Sequence, residues 1–355
     1  MKSITMVLIF LIGVSAMLSA QLTLSGYPYL AYSSETRWMG GAFTFTRYDF
    51  SKPFTEPNPH RISLLGNTIY SQNKQFMLAL IPSYELGAFS LDSSMQFSSW
   101  PDTFYGTGNF TAPDEWEAFT SSYYATETSL SYRLGRSLSA SLQMDLGLHK
   151  LKEVEESGML ENAQIPGKED AVHSGIGASL RFDSSDGGFY PTRGLKFELK
   201  QLWYEADLGS DHTWQKNLYD FRLYVPLSSK SVFATQSDLE LNRGDVPFYR
   251  YPELGNRLRA YDSKRFIDKV RISQRVENRL FPFEDGAWTR LGFVLFAETG
   301  QVAPELQDIA LKDWHLSLGG GIRFSILPKE RLNLRADFGF GSDSFNFIIN
   351  AREVF

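Results

Sequence analysis

The sequence predicts an all-β protein: a transmembrane antiparallel β-barrel of about sixteen strands, with a long sixth extracellular loop inserted into its lumen. Three observations carry that expectation. Segments about ten residues long alternate apolar and polar side chains, which is the length of a tilted membrane-crossing strand. The connections between them fall into short turns and long loops on opposite parities. Finally, 15% of the 355 residues are aromatic, with 28 Phe and 17 Tyr, behind a leader of export type. That surplus suits the aromatic girdles of a barrel at its two membrane interfaces.

Residues 1–20, MKSITMVLIFLIGVSAMLSA, carry one lysine, a short apolar core and a small-residue end. They read as a secretory signal peptide cut after Ala20, which leaves 21–355 as the barrel. A membrane-anchoring helix fits less well, because the apolar core is short. No later stretch is apolar enough to cross a membrane as a helix, so membrane residence has to be as a barrel. The interval between Ala20 and Tyr27 is expected to leave no room for a soluble periplasmic domain. There is no cysteine, which excludes disulfides, thiolate metal sites and a lipid anchor at the N-terminus. The formal net charge of -6 disfavours nucleic acid as a partner.

In chain order, residues 27–33 form a short first strand, 34–38 turn the chain, and 41–48 return it. Residues 49–60 make a long, proline-rich connection on the periplasmic side, the one exception to the parity of loop lengths. Strands between 75 and 125 are blurred. From 137 to 149 the pattern is plain: Leu138, Ala140, Leu142, Met144, Leu146 and Leu148 alternate with Ser139, Ser141, Gln143, Asp145, Gly147 and His149. Successive side chains of a strand point to opposite faces, so one face meets lipid and the other water. Similar alternation runs through 175–182, 195–204, 218–225, 291–298, 314–324 and 331–340. In the last of these, Leu332, Leu334, Ala336, Phe338 and Phe340 oppose Arg331, Asn333, Arg335, Asp337 and Gly339. A helix would spread such charges around its surface.

Counting the first strand as upward, short turns fall at 134–136, 226–229 and 327–330. Long connections fall at 99–120, 150–171, 243–266 and 300–312, with the parity that periplasmic turns and extracellular loops require. The final strand, 345–355, ends on an aromatic residue and leaves no tail beyond the wall. It is expected to pair with the first strand, because an open edge in lipid leaves backbone groups unsatisfied. Soluble β-sandwiches also alternate, but their strands are shorter, and a chain of this size would need two with a linker that the sequence does not show.

Residues 243–266, RGDVPFYRYPELGNRLRAYDSKRF, are too long for a hairpin turn and are crowded with Arg and Tyr. A loop of this length in a tightly turned β protein is functional or disordered, and its aromatic content argues against disorder. It is expected to fold back into the lumen. On the strand at 291–298, Leu291, Phe293, Leu295 and Ala297 take the lipid side, which turns Glu298 to the lumen. On the preceding strand, Arg275, Glu277 and Arg279 share one face, opposite Val276, Asn278 and Leu280.

Several pieces of the chain resemble the BamA/TamA-type outer-membrane assembly-factor superfamily, also called bacterial surface antigens. One is a periplasmic turn of the form D-x-x-D…P-x-x-G, carried by Asp183, Asp186, Pro191 and Gly194. Another is Leu258-Arg259-Ala260-Tyr261, similar to the V-R-G-F/Y tip of the family's sixth extracellular loop. A third is the strand motif Phe296-Ala297-Glu298-Thr299-Gly300, similar to F-x-D-x-G. The fourth is the ending, with His315, Ser317, Gly319, Gly321, Arg323 and Phe324, then Leu334, Arg335, Asp337 and Gly339, and Phe355 as the C-terminal signal. The resemblance covers the whole mature chain and is densest from Asp183 onward. Each motif alone is weakly specific; their order and spacing together are specific.

The resemblance implies a sixteen-strand barrel in the bacterial outer membrane, here a barrel-only member without the family's POTRA domains. It implies that Arg259 reaches into the lumen and pairs with Glu298, with Arg275, Glu277 and Arg279 extending the network. Ala260 stands where the family has Gly and Glu298 where it has Asp, so the loop tip is expected to differ in backbone and height. The implied role is insertion or movement of polypeptide or lipid at the outer membrane. A weakly zipped seam between first and last strands, the first short and carrying Pro28, would serve as a gate. Implied partners are the bilayer and either unfolded outer-membrane proteins or an assembly-complex subunit. A passive pore or surface antigen without assembly activity is the competing class. No cofactor or metal is expected, since His60, His149, His173, His212 and His315 lack metal-ligand spacing. No enzyme is expected either: His315 with Ser317, and His149 near Asp145, fit a polar lumen without a catalytic role.

Overall fold

Sixteen antiparallel strands close into one barrel in the computed structural model of the chain, which describes residues 14–19, 22–50, 59–328 and 331–355. The first four are β1 (Leu22–Ser33), β2 (Arg37–Asp49), β3 (His60–Ser71) and β4 (Phe76–Leu86). Next come β5 (Phe89–Phe104), β6 (Glu117–Arg133), β7 (Leu138–Glu153) and β8 (Ala171–Asp183). The third quarter is β9 (Gly194–Tyr204), β10 (Trp214–Pro226), β11 (Ser231–Gly244) and β12 (Val270–Leu280). The wall ends with β13 (Leu291–Ala303), β14 (His315–Leu327), β15 (Leu332–Phe340) and β16 (Phe345–Ala351). Each strand pairs with the next in sequence, and β16 returns to β1. No helix among the described residues is long and apolar enough to cross a membrane.

The period-two pattern decides which side chains face the interior. In β7, Asp145 and His149 are buried while Leu142 is 66% exposed on the outer face. In β13, Leu295 is 72% exposed and its neighbours Val294 and Phe296 are buried. An outer face of this kind is solvated by lipid, whereas the inner face must satisfy its polar groups within the barrel.

The strands run past the alternating segments of the sequence. In β13 alternation stops after Thr299, and Gly300, Gln301, Val302 and Ala303 are all buried. The ladder to β12 nevertheless continues to Ala303. Loops cover both faces at this end: the Gln301 amide reaches the backbone of Ala310, and the Val302 N–H donates to Asn109 at 2.9 Å. Backbone pairing outlasts the membrane, so the polarity pattern marks only the part of each strand that meets lipid. The blurred region between 75 and 125 resolves into β4, the long β5 and the start of the long β6.

Two expectations about the ends of the barrel are corrected. The first strand is not short: β1 has 12 residues, and Pro28 lies within it opposite Ala42. A further short strand, Val14–Ser19, pairs with β1 from Val14↔Gly26 to Ser19↔Leu22. The expected cut after Ala20 and most of the 49–60 connection lie outside the described residues. The last strand does not run to Phe355. It stops at Ala351, where Arg352 takes a left-handed conformation with φ 70° and turns the tail off the wall. Glu353 then accepts from Arg323 at 2.7 Å and from Asn333 at 2.9 Å. Phe355 packs against Tyr224 and Ala234 and accepts from Arg279 at 3.0 Å. Charge-assisted bonds inside the barrel outweigh a few more rungs of ladder.

The interior is occupied near both ends. Residues 245–269, which connect β11 to β12, contribute Val246, Phe248, Tyr251 and Ile267 to one buried cluster with Phe104, Phe119, Leu202, Tyr204 and Trp214. They contribute Leu254, Leu258, Ala260, Tyr261 and Phe266 to a second one with Val302. At the opposite end, residues 184–193 lie against the β14–β15 turn through Asp186 and Arg331, 2.6 Å apart.

Candidate functional site

The inner faces of four consecutive strands meet the tip of the sixth loop. Glu277 comes from β12, Glu298 from β13, Ser317 from β14 and Asp337 from β15, all buried. Their alternation places each on the inner side, and the register sets Glu298 directly opposite Arg275 and Ser317. Into this patch the loop inserts Arg259, itself only 4% exposed.

The Arg259 Nε lies 2.7 Å from Glu298 Oε1, and its backbone N–H donates to Glu298 Oε2 at 2.6 Å. One carboxylate thus holds both the side chain and the backbone of the loop tip. The other two guanidinium nitrogens reach Glu277 Oε1 at 2.6 Å and Asp337 Oδ2 at 3.2 Å. The Glu277 contact lacks hydrogen-bond geometry and acts by charge alone. The face of the Phe296 ring lies 3.4 Å from the guanidinium carbon, a close cation–π contact. Next along the loop, the Ala260 N–H donates to Ser317 Oγ at 3.2 Å, and Ser317 donates to Glu298 at 3.0 Å. The Tyr261 hydroxyl donates to the Leu316 carbonyl at 3.2 Å, and Leu258 is fully buried beside it.

The approach is close enough to require glycine in the wall. A Cβ added at Gly339 of β15 would stand 2.7 Å from the Arg259 carbonyl carbon and 2.8 Å from the Ala260 nitrogen. Gly300 lies beneath Leu254 of the loop in a similar way. Ala260 does not take a positive φ, so its side chain costs no left-handed strain.

The network extends beyond the tip. Glu277 also holds Arg279 at 2.7 Å, and Asp337 holds Arg323 at 2.6 Å and Arg335 at 2.5 Å. Arg323 carries the chain of charge on to Glu353 in the tail. Arg275 takes a different course from the expected one. Its guanidinium bonds Gln236 and lies 5.0 Å from the Phe355 ring, which Arg279 also approaches at 5.0 Å. Four guanidiniums (Arg259, Arg279, Arg323 and Arg335) therefore interleave with four carboxylates (Glu277, Glu298, Asp337 and Glu353). Balanced charge is what permits such burial.

A second anchor escaped the sequence. Arg250 of the loop pairs with Asp145 of β7 and donates to Tyr123 at 2.6 Å, while Tyr204 donates to the same carboxylate at 2.6 Å. Asp145 also meets His173 at 3.3 Å. The inward parity of Asp145 was legible; its partner 105 residues away was not. His149 stacks on Tyr249 at 3.9 Å, and His315 stacks on Phe266 at 3.9 Å. These histidines pack the loop, and Ser317 serves Glu298 rather than His315.

The turn between β8 and β9 is built on its two aspartates. Asp183 accepts from the Ser185 N–H at 3.0 Å and its hydroxyl at 2.7 Å. Asp186 accepts from the Thr192 N–H at 2.9 Å, its hydroxyl at 2.6 Å, and Arg331 at 2.6 Å. Burial opposes its charge, but Thr192 and Arg331 outweigh that and hold the Asp186 carboxyl well below the usual carboxylate range. Pro191 follows the buried Tyr190, and Gly194 takes a φ of 97° with Ser184 O pressed against it, where only glycine fits.

A closed barrel with an apolar exterior, whose long loop is bound by ion pairs to the inner wall, defines a membrane β-barrel with a loop folded into its lumen. The model of the Omp85 superfamily domain matches residues 42–347, and the chain belongs to that superfamily. Among solved structures, BamA from Haemophilus ducreyi lacking POTRA domains 1-3 matches with a TM-score of 0.65 and 15% identity, over 97% of this chain and 70% of that one. CdiB from Acinetobacter baumannii matches with a TM-score of 0.58 and 10% identity, over 97% of this chain and 65% of that one. CdiB from Escherichia coli matches with a TM-score of 0.59 and 11% identity, over 95% and 64%. The chain thus spans slightly less than two thirds of each CdiB chain. None of the curated proteins compared matches the sequence.

Proposed function

We propose that this barrel inserts or translocates polypeptide at the outer membrane, with the β1–β16 seam as its opening. The observation that carries the reading is the seam itself. Strands β15 and β16 share seven residue pairs, from Leu334↔Ala351 to Phe340↔Phe345, whereas β16 and β1 share the single pair Ile349↔Tyr32. A junction of one pair is cheap to part. Backbone groups along a parted edge in hydrocarbon each cost several kcal/mol unless another strand satisfies them. An incoming strand can do so by adding to the edge. The membership in the Omp85 superfamily and the fold likeness to BamA and CdiB support this reading.

The clients in this proposal are unfolded outer-membrane polypeptides, the medium is the bilayer, and an assembly-complex subunit is the proposed partner. Residues 1–20 are proposed to leave as an export leader. Their removal would take Val14–Ser19 away from β1 and uncover the stretch that it covers. The reading involves no cofactor, metal, nucleic acid or enzymatic step. The loop folds into the barrel, and Tyr190 of the 184–193 turn is buried against Phe281; both support a closed resting state over a standing pore.

The test is the folding of a small barrel protein into liposomes with and without this protein. Acceleration that is lost when a Tyr32→Cys/Ile349→Cys pair is oxidised is the expected result. No acceleration, combined with a steady large conductance in planar bilayers, would replace this reading with that of a passive pore or surface antigen.

A further inference from the structure

One sector of the inner wall is apolar where a barrel lumen is ordinarily polar. In β2, β3 and β4 the alternation turns Phe43, Phe45, Leu65, Ile69 and Ile81 inward, because Thr44, Leu64 and Leu80 beside them are exposed on the outer side. The registers gather these side chains into a patch. Ser25, Phe45, Leu65 and Ile81 stand side by side across β1–β4, and Tyr27, Phe43, Asn67 and Ala79 form the next row. The row above is Tyr29, Gly41, Ile69 and Met77.

The five large apolar side chains are only half-buried, and none belongs to the buried clusters through which the sixth loop packs. The loop is bound to the other side of the barrel, on β12–β15. Apolar surface left against water is unfavourable, so a patch of this kind calls for an apolar occupant. Towards the end away from the loop, polarity returns. Arg47 donates to Asp49 at 2.8 Å and Arg61 to Glu85 at 2.7 Å, and Asp49 stands opposite Arg61 in the register. The patch therefore has an apolar floor and an edge that carries both signs of charge.

The chemistry of the floor selects among occupants. Asn67 already accepts from the Tyr29 hydroxyl at 2.8 Å, and the large side chains around it offer no hydrogen bond. A polypeptide laid on this floor would leave backbone groups without partners, which is costly, whereas an acyl chain has no such groups to satisfy. A zwitterionic headgroup carries a phosphate and an ammonium, and the mixed edge complements both. We propose that the inner wall of β1–β4 binds a zwitterionic phospholipid, with its acyl chains on Phe43, Phe45, Leu65 and Ile81 and its head at the edge formed by Arg47, Asp49, Arg61 and Glu85. This site goes beyond the handling of polypeptide proposed above, and it stands or falls independently of the seam.

Because the chain has no cysteine, single nitroxide labels report their own positions. Labels are placed at Leu65→Cys, at Leu64→Cys on the outer face and at Ser129→Cys on the polar inner face of β6, in protein held in phosphatidylcholine vesicles. Collision with oxygen marks hydrocarbon, and collision with a nickel chelate marks water. The label at 65 should match the one at 64, with oxygen admitted and the chelate excluded, while the label at 129 meets the chelate. A chelate that reaches 65 as freely as 129 shows a wet patch and overturns the proposal. Exclusion of both reagents at 65 shows that protein covers the patch, and overturns it equally. Native mass spectrometry of unlabelled protein incubated with phosphatidylcholine in mild detergent gives the second measurement. The native chain and Ser129→Ala should retain phospholipid, and Phe45→Asn/Leu65→Asn should lose it. Retention by the double variant at the native level would also overturn the proposal.

Discussion

Replacing Arg259 with alanine is expected to undock the tip of the sixth loop, and the structure sets the size of the effect. The side chain lies against three carboxylates that are themselves buried. Removing one partner of a buried ion pair costs about 3–5 kcal/mol, because the remaining charge is left uncompensated. Two of the three carboxylates keep another partner: Glu277 has Arg279 at 2.7 Å, and Asp337 has Arg323 at 2.6 Å. Among the described residues, the hydrogen bonds left to Glu298 come from the Ser317 hydroxyl and the backbone N–H at position 259, with Arg275 opposite it across the ladder. The loss therefore belongs near the lower end, about 3 kcal/mol, which is about two decades in the ratio of docked to undocked loop. Tryptic cleavage at Arg257 and Lys264 in detergent micelles reads that ratio, because proteolysis follows the open population when reclosing is fast. Cleavage should accelerate about a hundredfold in Arg259→Ala. Glu298→Gln should also loosen the loop, and the double variant should be no worse than Arg259→Ala, since the penalty of the single change is the stranded charge itself. Protection within about twofold of the native protein, or losses that simply add in the double variant, would refute the ion-pair account.

Gly339→Ala should displace the same loop tip by contact alone, at an overpacking cost of about 1–3 kcal/mol, with faster tryptic cleavage as the readout. Gly135→Ala, whose added Cβ meets nothing within 4 Å, should leave cleavage unchanged. The docking of the loop should also depend on pH through Glu253. Burial, with Lys264 opposing and Asp102 and Glu35 adding to it, pushes this carboxyl up to about 7. A carboxyl raised above its free-chain value of about 4.3 holds its proton more tightly in the docked state, so docking is strongest below that value. It should weaken as pH rises to about 7. Hydroxyl-radical footprinting of Tyr249 and Tyr251 should show increasing exposure over that range, flattened by Glu253→Gln. Exposure that falls as pH rises would contradict the assignment.

The sequence by itself determined the wall. Period-two alternation is a property of the extended backbone, so the inward side of Asp145, Glu277, Glu298 and Asp337 could be read without knowing any neighbour. The parity of short and long connections placed the 243–266 segment on the outer side, and its Arg and Tyr content marked it as structured. Arg259 and Glu298 were singled out by family resemblance, and the structure places them 2.7 Å apart. Only the tertiary structure decided what the inward charges meet. Arg250 finds Asp145 across 105 residues of chain, and Arg323 finds Glu353 only because Arg352 turns the tail inward. The seam was decided there as well. A strand pattern fixes which face is wet, but the extent to which the first strand meets the last depends on tilt and stagger around the closed barrel. Those are sums over all sixteen strands, and no single segment records them.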